Sequence, residues 1–153
     1  MDSKPNFLFK LIRENSFFNE FNDEEIIKLI DKVGIFKKFD KKGLKIIKED
    51  APCKSILILI EGGVDIVRKS YKGESIKSVV LTKLGKGSVF GEISLISKKQ
   101  RKRMSSAVTN TNLTIVMEFT KENLEGFDTN IQNKIYQQAI ETLVEKFEKM
   151  NRV

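Results

Sequence analysis

Five consecutive aliphatic residues, Ile56-Leu57-Ile58-Leu59-Ile60, run straight into Glu61-Gly62-Gly63. This is the longest unbroken apolar run in the chain, and it falls far short of the roughly 18 residues that a membrane-spanning helix needs. Its β-branched content makes it a strand, and the glycine pair after it makes a strong hairpin turn. The same pattern continues on both sides. Short β-branched runs broken by glycine start at Ile35, and the best of them are Ile46-Ile47, Val64 to Val67, Val79 to Leu81 and Leu113 to Phe119, with Lys72-Gly73 as a second turn. Strands at this spacing predict an antiparallel sandwich or barrel rather than a parallel sheet.

Helical periodicity flanks the β block. Phe7, Leu8, Leu11 and Ile12 repeat at three and four residues, and the chain breaks at Asn15-Ser16. Asn22 then opens a second helix with Glu25 three residues on, the spacing of a capping box. Ile26, Ile27, Ile30 and Val33 form its apolar stripe, Gly34 is its expected stop, and the acids Glu24-Glu25 complement the dipole of its first turn. At the other end Ile131, Ile135, Ala139, Leu143 and Phe147 recur every four residues, widened by Ile140, Val144 and Met150. Nothing marks an internal repeat, a low-complexity linker or a second domain. Residues 1–153 read as one domain, with helices over about 5–34, a β-roll over about 35–119 and C-terminal helices over about 120–150.

Composition removes whole classes of chemistry. Apolar residues are 40% and charged residues 32% of 153, which supports a packed core. There is no histidine and one cysteine, Cys53. Catalysis by Ser-His-Asp or Cys-His, the common zinc sites and an internal disulfide are therefore excluded, and no enzymatic activity is expected. No N-terminal stretch has the pattern of a secretory signal, so a reducing, cytoplasmic location is expected. Cys53, between Pro52 and Lys54, reads as an incidental thiol in a turn. The net charge of +7 is uneven: residues 1–117 carry a balance of +9 and residues 118–153 one of −2. A basic body attracts anions, but lysine richness arises with no partner at all, so charge alone does not choose a ligand.

The chemistry is concentrated in Leu84-Gly85-Lys86-Gly87-Ser88-Val89-Phe90-Gly91-Glu92-Ile93-Ser94-Leu95-Ile96 and the basic loop that follows. Gly91 permits close backbone approach, and Glu92 offers a carboxylate to hydroxyl groups. A helical turn over 93–97 would present free backbone N–H groups to an anion, and Arg101 or Arg103 could reach the same anion across the loop. Together these describe a cradle for a nucleotide phosphate. Gly85-Lys86-Gly87-Ser88 lacks the spacing of a P-loop and reads as the turn feeding this segment. The run Lys98 to Arg103 could also be a solvated surface or a nucleic-acid patch, but without interleaved aromatics the last is weak.

Phe90-Gly91-Glu92-Ile93-Ser94-Leu95 resembles the phosphate-binding cassette of the cyclic nucleotide-binding domains: an apolar residue, Gly-Glu, any residue, a small residue and an aliphatic. The resemblance extends over most of the chain. Phe17 through Ile30 is similar to the family's N-terminal helices, Lys42-Gly43 through Val67 to its early strands, Leu84 through Gly87 to the loop before the cassette, and 118–150 to its closing helices. It implies an α+β fold: N-terminal helices, an eight-stranded, jelly-roll-like antiparallel β-roll with the cassette at 90–106, a short cassette helix and two C-terminal helices. It also implies that Glu92 accepts the ribose 2′-hydroxyl, that Gly91 meets the ribose through its backbone, and that Ile93 and Ser94 turn N–H groups to the cyclic phosphate. The family's arginine normally precedes a small residue and alanine. Here Arg101 precedes Lys102 and Arg103 precedes Met104, and a strict register puts Met104 itself at the arginine position. Arg103, eleven residues after Glu92, keeps Ser105 and Thr111-Asn112 near their expected places, and Arg101 is the alternative.

The resemblance therefore implies a regulatory module that binds a cyclic purine nucleotide, cyclic AMP before cyclic GMP, with no cofactor, and shifts its C-terminal helices on binding. Tyr136 and Phe147 are the aromatic candidates for the purine. The C-terminal stripe serves barrel packing, a lid over the base or a dimer seam. With no further module after Val153, the effector is expected to be a separate protein or a second copy, and direct DNA binding is not expected. The alternative is a degenerate fold that binds no nucleotide and acts as a protein-interaction module.

Overall fold

The structure is a computed structural model that describes residues 4–152. Helix α1 (Lys4–Glu14), a 3-10 turn (Ser16–Phe18) and helix α2 (Asp23–Asp31) precede the β region. Its strands are β1 (Phe36–Phe39), β2 (Lys45–Ile47), β3 (Ser55–Glu61), β4 (Val64–Lys72), β5 (Ser75–Leu84), β6 (Val89–Phe90), β7 (Ser106–Thr109) and β8 (Thr114–Thr120), with the helical turn α3 (Ile93–Ile96) between β6 and β7. Helices α4 (Lys121–Glu125) and α5 (Thr129–Met150) follow. Among the described residues the strands form two four-stranded antiparallel sheets, ordered β1-β8-β3-β6 and β2-β7-β4-β5. The α+β architecture with a jelly-roll-like β-roll is the one expected.

Strand β3 explains its own sequence. Alternate residues of a strand face opposite sides. Ile56, Ile58 and Ile60 pack with Phe17, Phe18, Leu29 and Ile135 of the helices. Leu57 and Leu59 point the other way, between the sheets, against Val64, Phe90, Ala107 and Val116. With core on both faces there is no polar side to alternate with. Each of these five residues contributes about 1.5–3 kcal/mol by leaving water. The hairpin after β3 needs its glycine: Gly62 has φ +81°, and a Cβ there would collide with the Leu113 carbonyl oxygen.

The capping box at the start of α2 is formed: Asn22 Oδ1 accepts from Glu25 N at 2.9 Å, and Glu25 Oε1 accepts from Asn22 N at 2.9 Å. The same Glu25 oxygen accepts from Lys134 Nζ of α5 at 2.5 Å, and Lys28 pairs with Asp128 at 2.8 Å. The first half of α5 is thus fastened to α2, and its Ile131, Ile135 and Ala139 are fully buried. The second half runs on over the β-roll with Ile140, Val144, Phe147 and Met150 exposed.

Some boundaries differ from the sequence reading. Helix α2 ends at Asp31, three residues before Gly34, where Lys32 N–H bonds back to Leu29 O at 3.4 Å. Strands β1, β6 and β7 are extra to the five runs picked out by composition. They are two to four residues long, and pairing rather than local preference holds them extended. Strands β4 and β5 are longer than read because each extends the other across Lys72-Gly73, as far as Lys72↔Ser75. β5 is an edge strand whose Ile76, Val79, Val80 and Leu81 are exposed.

Burial works to raise the Glu25 carboxyl, but the hydrogen bonds from Lys134 and Asn22 and the Lys134 charge outweigh it and hold the group below its ordinary 4.5. A carboxyl that titrates lower folded than unfolded gives its full stabilisation above the unfolded value, and loses it as pH falls through the folded one. Thermal melts should therefore show Glu25→Gln costing about 1–2 kcal/mol at pH 7, roughly 2–8 °C. The deficit should shrink on acidification below about pH 4.5, as the wild-type carboxyl protonates. A deficit independent of pH would show that packing, not charge, was lost.

Candidate functional site

The site is built where β6 ends. Leu57↔Phe90 and Ile58↔Val89 pair β6 to the centre of β3, so the chain leaves the sheet at Gly91 in a fixed place. Gly91 has φ +85°, and a Cβ on it would meet both Arg103 Nη1 and the Ser55 carbonyl oxygen. Only glycine lets the backbone and the guanidinium come this close. The chain then turns into α3, anchored by buried Leu95. Ser94 bonds back to the Gly91 carbonyl oxygen through Oγ at 2.7 Å and through N–H at 3.0 Å. The Ser94 N–H is therefore taken in this conformation, unlike the free donor expected of it, whereas Ile93 opens the turn with its side chain exposed.

Glu92 is only 4% exposed, yet no side chain of its own loop pairs with it. Lys146 Nζ of α5 lies 2.6 Å from Glu92 Oε1 and directs its aligned hydrogen bond, also 2.6 Å, to the Val89 carbonyl oxygen. Oε1 has no aligned hydrogen-bond donor among the described residues. The carboxylate is compensated by the Lys146 charge, while the better-aligned hydrogen bond of that ammonium goes to Val89.

Arg103 is presented by a backbone ladder with the 50–53 loop. Cys53 N–H donates to Arg101 O at 2.7 Å, Arg103 N–H to Ala51 O at 2.7 Å, and Asp50 N–H to Arg103 O at 2.9 Å. The Arg103 side chain then reaches β3, where Nη2 donates to Ser55 O at 3.0 Å and Ser55 Oγ at 3.2 Å. Ser55 Oγ in turn donates to Glu118 Oε2 at 2.6 Å, and Glu118 pairs with Lys37. Burial pushes the Glu118 carboxyl up, but the Lys37 and Ser55 hydrogen bonds and the Lys37 and Arg103 charges bring it below its usual range. Arg101 sits further out, exposed, with Nε donating to Ser97 Oγ at 3.1 Å.

The cassette and the basic loop open on one cavity of about 980 Å³, at the upper end for small-molecule sites, which Ser94 does not line. Gly91, Glu92, Ile93, Arg101, Arg103 and Ser105 line it, and its apolar wall includes Ile47, Ile66, Phe90 and Ala107 of the β-roll and Leu143, Val144, Phe147 and Met150 of α5. Phe147 thus faces the cavity, but Tyr136 does not: it packs against the hydrophobic core beside α2 and the β3 face. Cys53, read as incidental, lies in the cavity wall. Lys146 went unnoticed in the sequence. Its signal was there, three residues after Leu143 and one before Phe147 on the stripe of a closing helix. Among the described residues no cluster of three metal-binding side chains is present, and no helix is long and apolar enough to cross a membrane.

The family model for the cyclic nucleotide-binding domain matches residues 37–128. The chain belongs to the cyclic nucleotide-binding domain family. The matched part runs from β1 to the residue that caps α5, so it contains the cassette and the basic loop, while α5 with Lys146 and Phe147 lies beyond it. Solved structures agree on the fold. A cyclic nucleotide-binding domain from Methylobacillus flagellatus is 18% identical with a TM-score of 0.69, over 96% of this chain and 80% of that one. The N-terminal domain of a transcriptional regulator from Streptomyces coelicolor is 18% identical with a TM-score of 0.64, over 92% and 94%. The regulatory domain of Toxoplasma gondii PKA, solved with cAMP, is 16% identical with a TM-score of 0.62, over 91% of this chain and 51% of that one. No curated protein sequence matches the chain.

In this cyclic nucleotide-binding domain, the tightness around Gly91 is open to test by substitution. Gly91→Ala should cost more than about 1 kcal/mol, from its positive φ and the clash with the Ser55 carbonyl oxygen, and should displace Arg103. Gly85→Ala, with nothing within 4 Å of its Cβ and an ordinary φ, should stay within about 0.5 kcal/mol of wild type. Equal melting of the two variants would contradict the packing described.

Proposed function

We propose that this domain is a regulatory sensor that binds a cyclic purine nucleotide, cyclic AMP in preference to cyclic GMP, and performs no chemistry on it. The observation that carries the reading is the joint placement of a buried carboxylate, Glu92, and a guanidinium packed on Gly91 in one apolar-walled cavity. Glu92 accepts the ribose 2′-hydroxyl, and Gly91 meets the ribose through its backbone. The Ile93 N–H and Arg103 take the cyclic phosphate, with Ser105 beside them and Ser94 holding the turn. Both arginines share the backbone ladder with residues 50–53, and Arg103 is favoured because its side chain bonds to Ser55 and packs on Gly91, whereas that of Arg101 stands at the exposed rim. Apolar side chains of the β-roll and of α5 enclose the base, with Phe147 as its aromatic neighbour. The T. gondii neighbour solved with cAMP supports cyclic AMP as the first ligand to try.

Helices and β-roll act as one domain, and binding is read out by α5. Its buried first half is fastened to α2 while its second half covers the cavity, so repacking of the second half changes the surface offered to a separate effector or to a second copy. A cytoplasmic site of action follows from a nucleotide signal and a single unpaired thiol. The second reading, a fold that binds no nucleotide and serves as an interaction module, draws on the state of the site itself. Arg103 is already bonded to Ser55, and Glu92 is already charge-paired with Lys146.

Calorimetric titration with cyclic AMP, cyclic GMP and 5′-AMP separates the two readings. The expected result is micromolar or tighter binding of cyclic AMP, weaker cyclic GMP and much weaker 5′-AMP. Arg103→Ala should lose about ten- to 150-fold, the worth of a charge-assisted hydrogen bond, and Arg101→Ala less than about threefold. The reverse order would move the phosphate contact to Arg101. No heat at millimolar ligand with nucleotide-free protein would leave the interaction module.

A further inference from the structure

Lys146 has no part in the roles just assigned, yet it lines the cavity and touches the cassette. Its ammonium is 2.6 Å from Glu92 Oε1 and 2.6 Å from the Val89 carbonyl oxygen. Glu92 is buried and its Oε1 is sealed from solvent with the Lys146 ammonium in contact, so a new donor reaches that oxygen only by moving the ammonium aside. A ribose 2′-hydroxyl would be such a donor. The nucleotide hydroxyl and the ammonium are thus alternative partners for one carboxylate oxygen. Beyond Ala139, the Lys146 contacts are the polar ties from α5 to the cassette and β6 among the described residues; the Thr142 hydroxyl bonds within the helix, to Ala139 O at 2.9 Å.

Resting on the nucleotide reading, we infer that Lys146 is a built-in competitor for the ribose subsite, which lowers both the affinity for the nucleotide and the weight given to its 2′-hydroxyl, and whose displacement frees the second half of α5 from its resting contact so that it can repack over the base. Two physical facts carry this. A buried carboxylate that loses its counter-charge gains most from any new donor, so Glu92 values the hydroxyl more once Lys146 is gone. Coupling between two sites is reciprocal, so the factor by which the Lys146 contact weakens nucleotide binding is the factor by which nucleotide weakens the contact. A ligand without the 2′-hydroxyl has no reason to displace Lys146 and leaves α5 tied. Lys146 is therefore a specificity-determining residue as well as the catch of the helix.

The test compares cyclic AMP with 2′-deoxy cyclic AMP on wild type, Lys146→Met and Lys146→Gln by calorimetry, with hydrogen exchange of residues 140–150 in the ligand-free proteins. Methionine keeps the apolar stem, and glutamine keeps a donor for Val89 O if the methionine variant melts early. The expected result is that both variants bind cyclic AMP more tightly, and that the ratio of cyclic AMP to 2′-deoxy affinity rises about tenfold over wild type. Exchange over 140–150 should be faster in both ligand-free variants than in ligand-free wild type. An unchanged ratio with binding intact overturns the competition and leaves the nucleotide reading standing. Unchanged exchange overturns the catch. Failure of every protein to bind either ligand overturns the nucleotide reading, and the competition with it.

Discussion

Burial of β3 on both faces is the constraint from which the remaining geometry follows. Its isoleucines hold the helices and its leucines hold the second sheet, so neither layer can slide without exposing the other. Pairing with β8 on one side and β6 on the other then fixes what lies at its ends. At its start the Ser55 carbonyl oxygen faces Gly91 and Arg103; at its far end Gly62 turns the chain under the Leu113 carbonyl oxygen. The cassette is thus an appendage of the most deeply buried strand. Packing and hydrogen bonds from that strand hold the loop and the Arg103 guanidinium at contact distance.

What could be read from the sequence is what is determined locally. The capping box of Asn22 and Glu25, the Glu61-Gly62-Gly63 hairpin and the Gly91-Glu92 cassette each sit within a few residues, and each lies where it was read. The five-residue aliphatic run announced a strand. Its two-sided burial needed the second sheet to be seen. What escaped is held by partners far away in sequence. Strand β6 is two residues that are extended because β3 pairs with them, and Tyr136, an aromatic candidate for the purine, is absorbed by the core. Lys146 meets Glu92 across 54 positions, and its place beside the stripe of α5 does not by itself say which carboxylate it pairs with.

The two arginines show the same division. Their neighbours in sequence could not rank them, because Lys102 and Met104 break the usual motif for both. What separates them structurally is where their side chains go, Arg103 to Ser55 and Arg101 to Ser97. Asp50, in the left-handed region at φ +69°, turns the 48–53 loop so that Ala51 and Asp50 both bond to Arg103. Short polar aspartate tolerates that conformation better than most residues. A motif that is irregular along the chain is therefore regular across the ladder, and Arg103 is gripped by its backbone before its side chain reaches Ser55.

The exposed edge of β5 bears on how the protein behaves in bulk. Ten residues of open strand with Ile76, Val79, Val80 and Leu81 at the surface form a template on which another strand could add. Lys77 and Lys83 stand on that strand and Lys69 and Lys72 on its neighbour, so two such edges repel before their backbones can meet. The excess of positive charge in the body of the chain thus acts as a colloidal device. Ions that screen it within about 10 Å at 0.1 M salt weaken the repulsion while leaving the edge unchanged, so concentrated solutions keep best at low ionic strength.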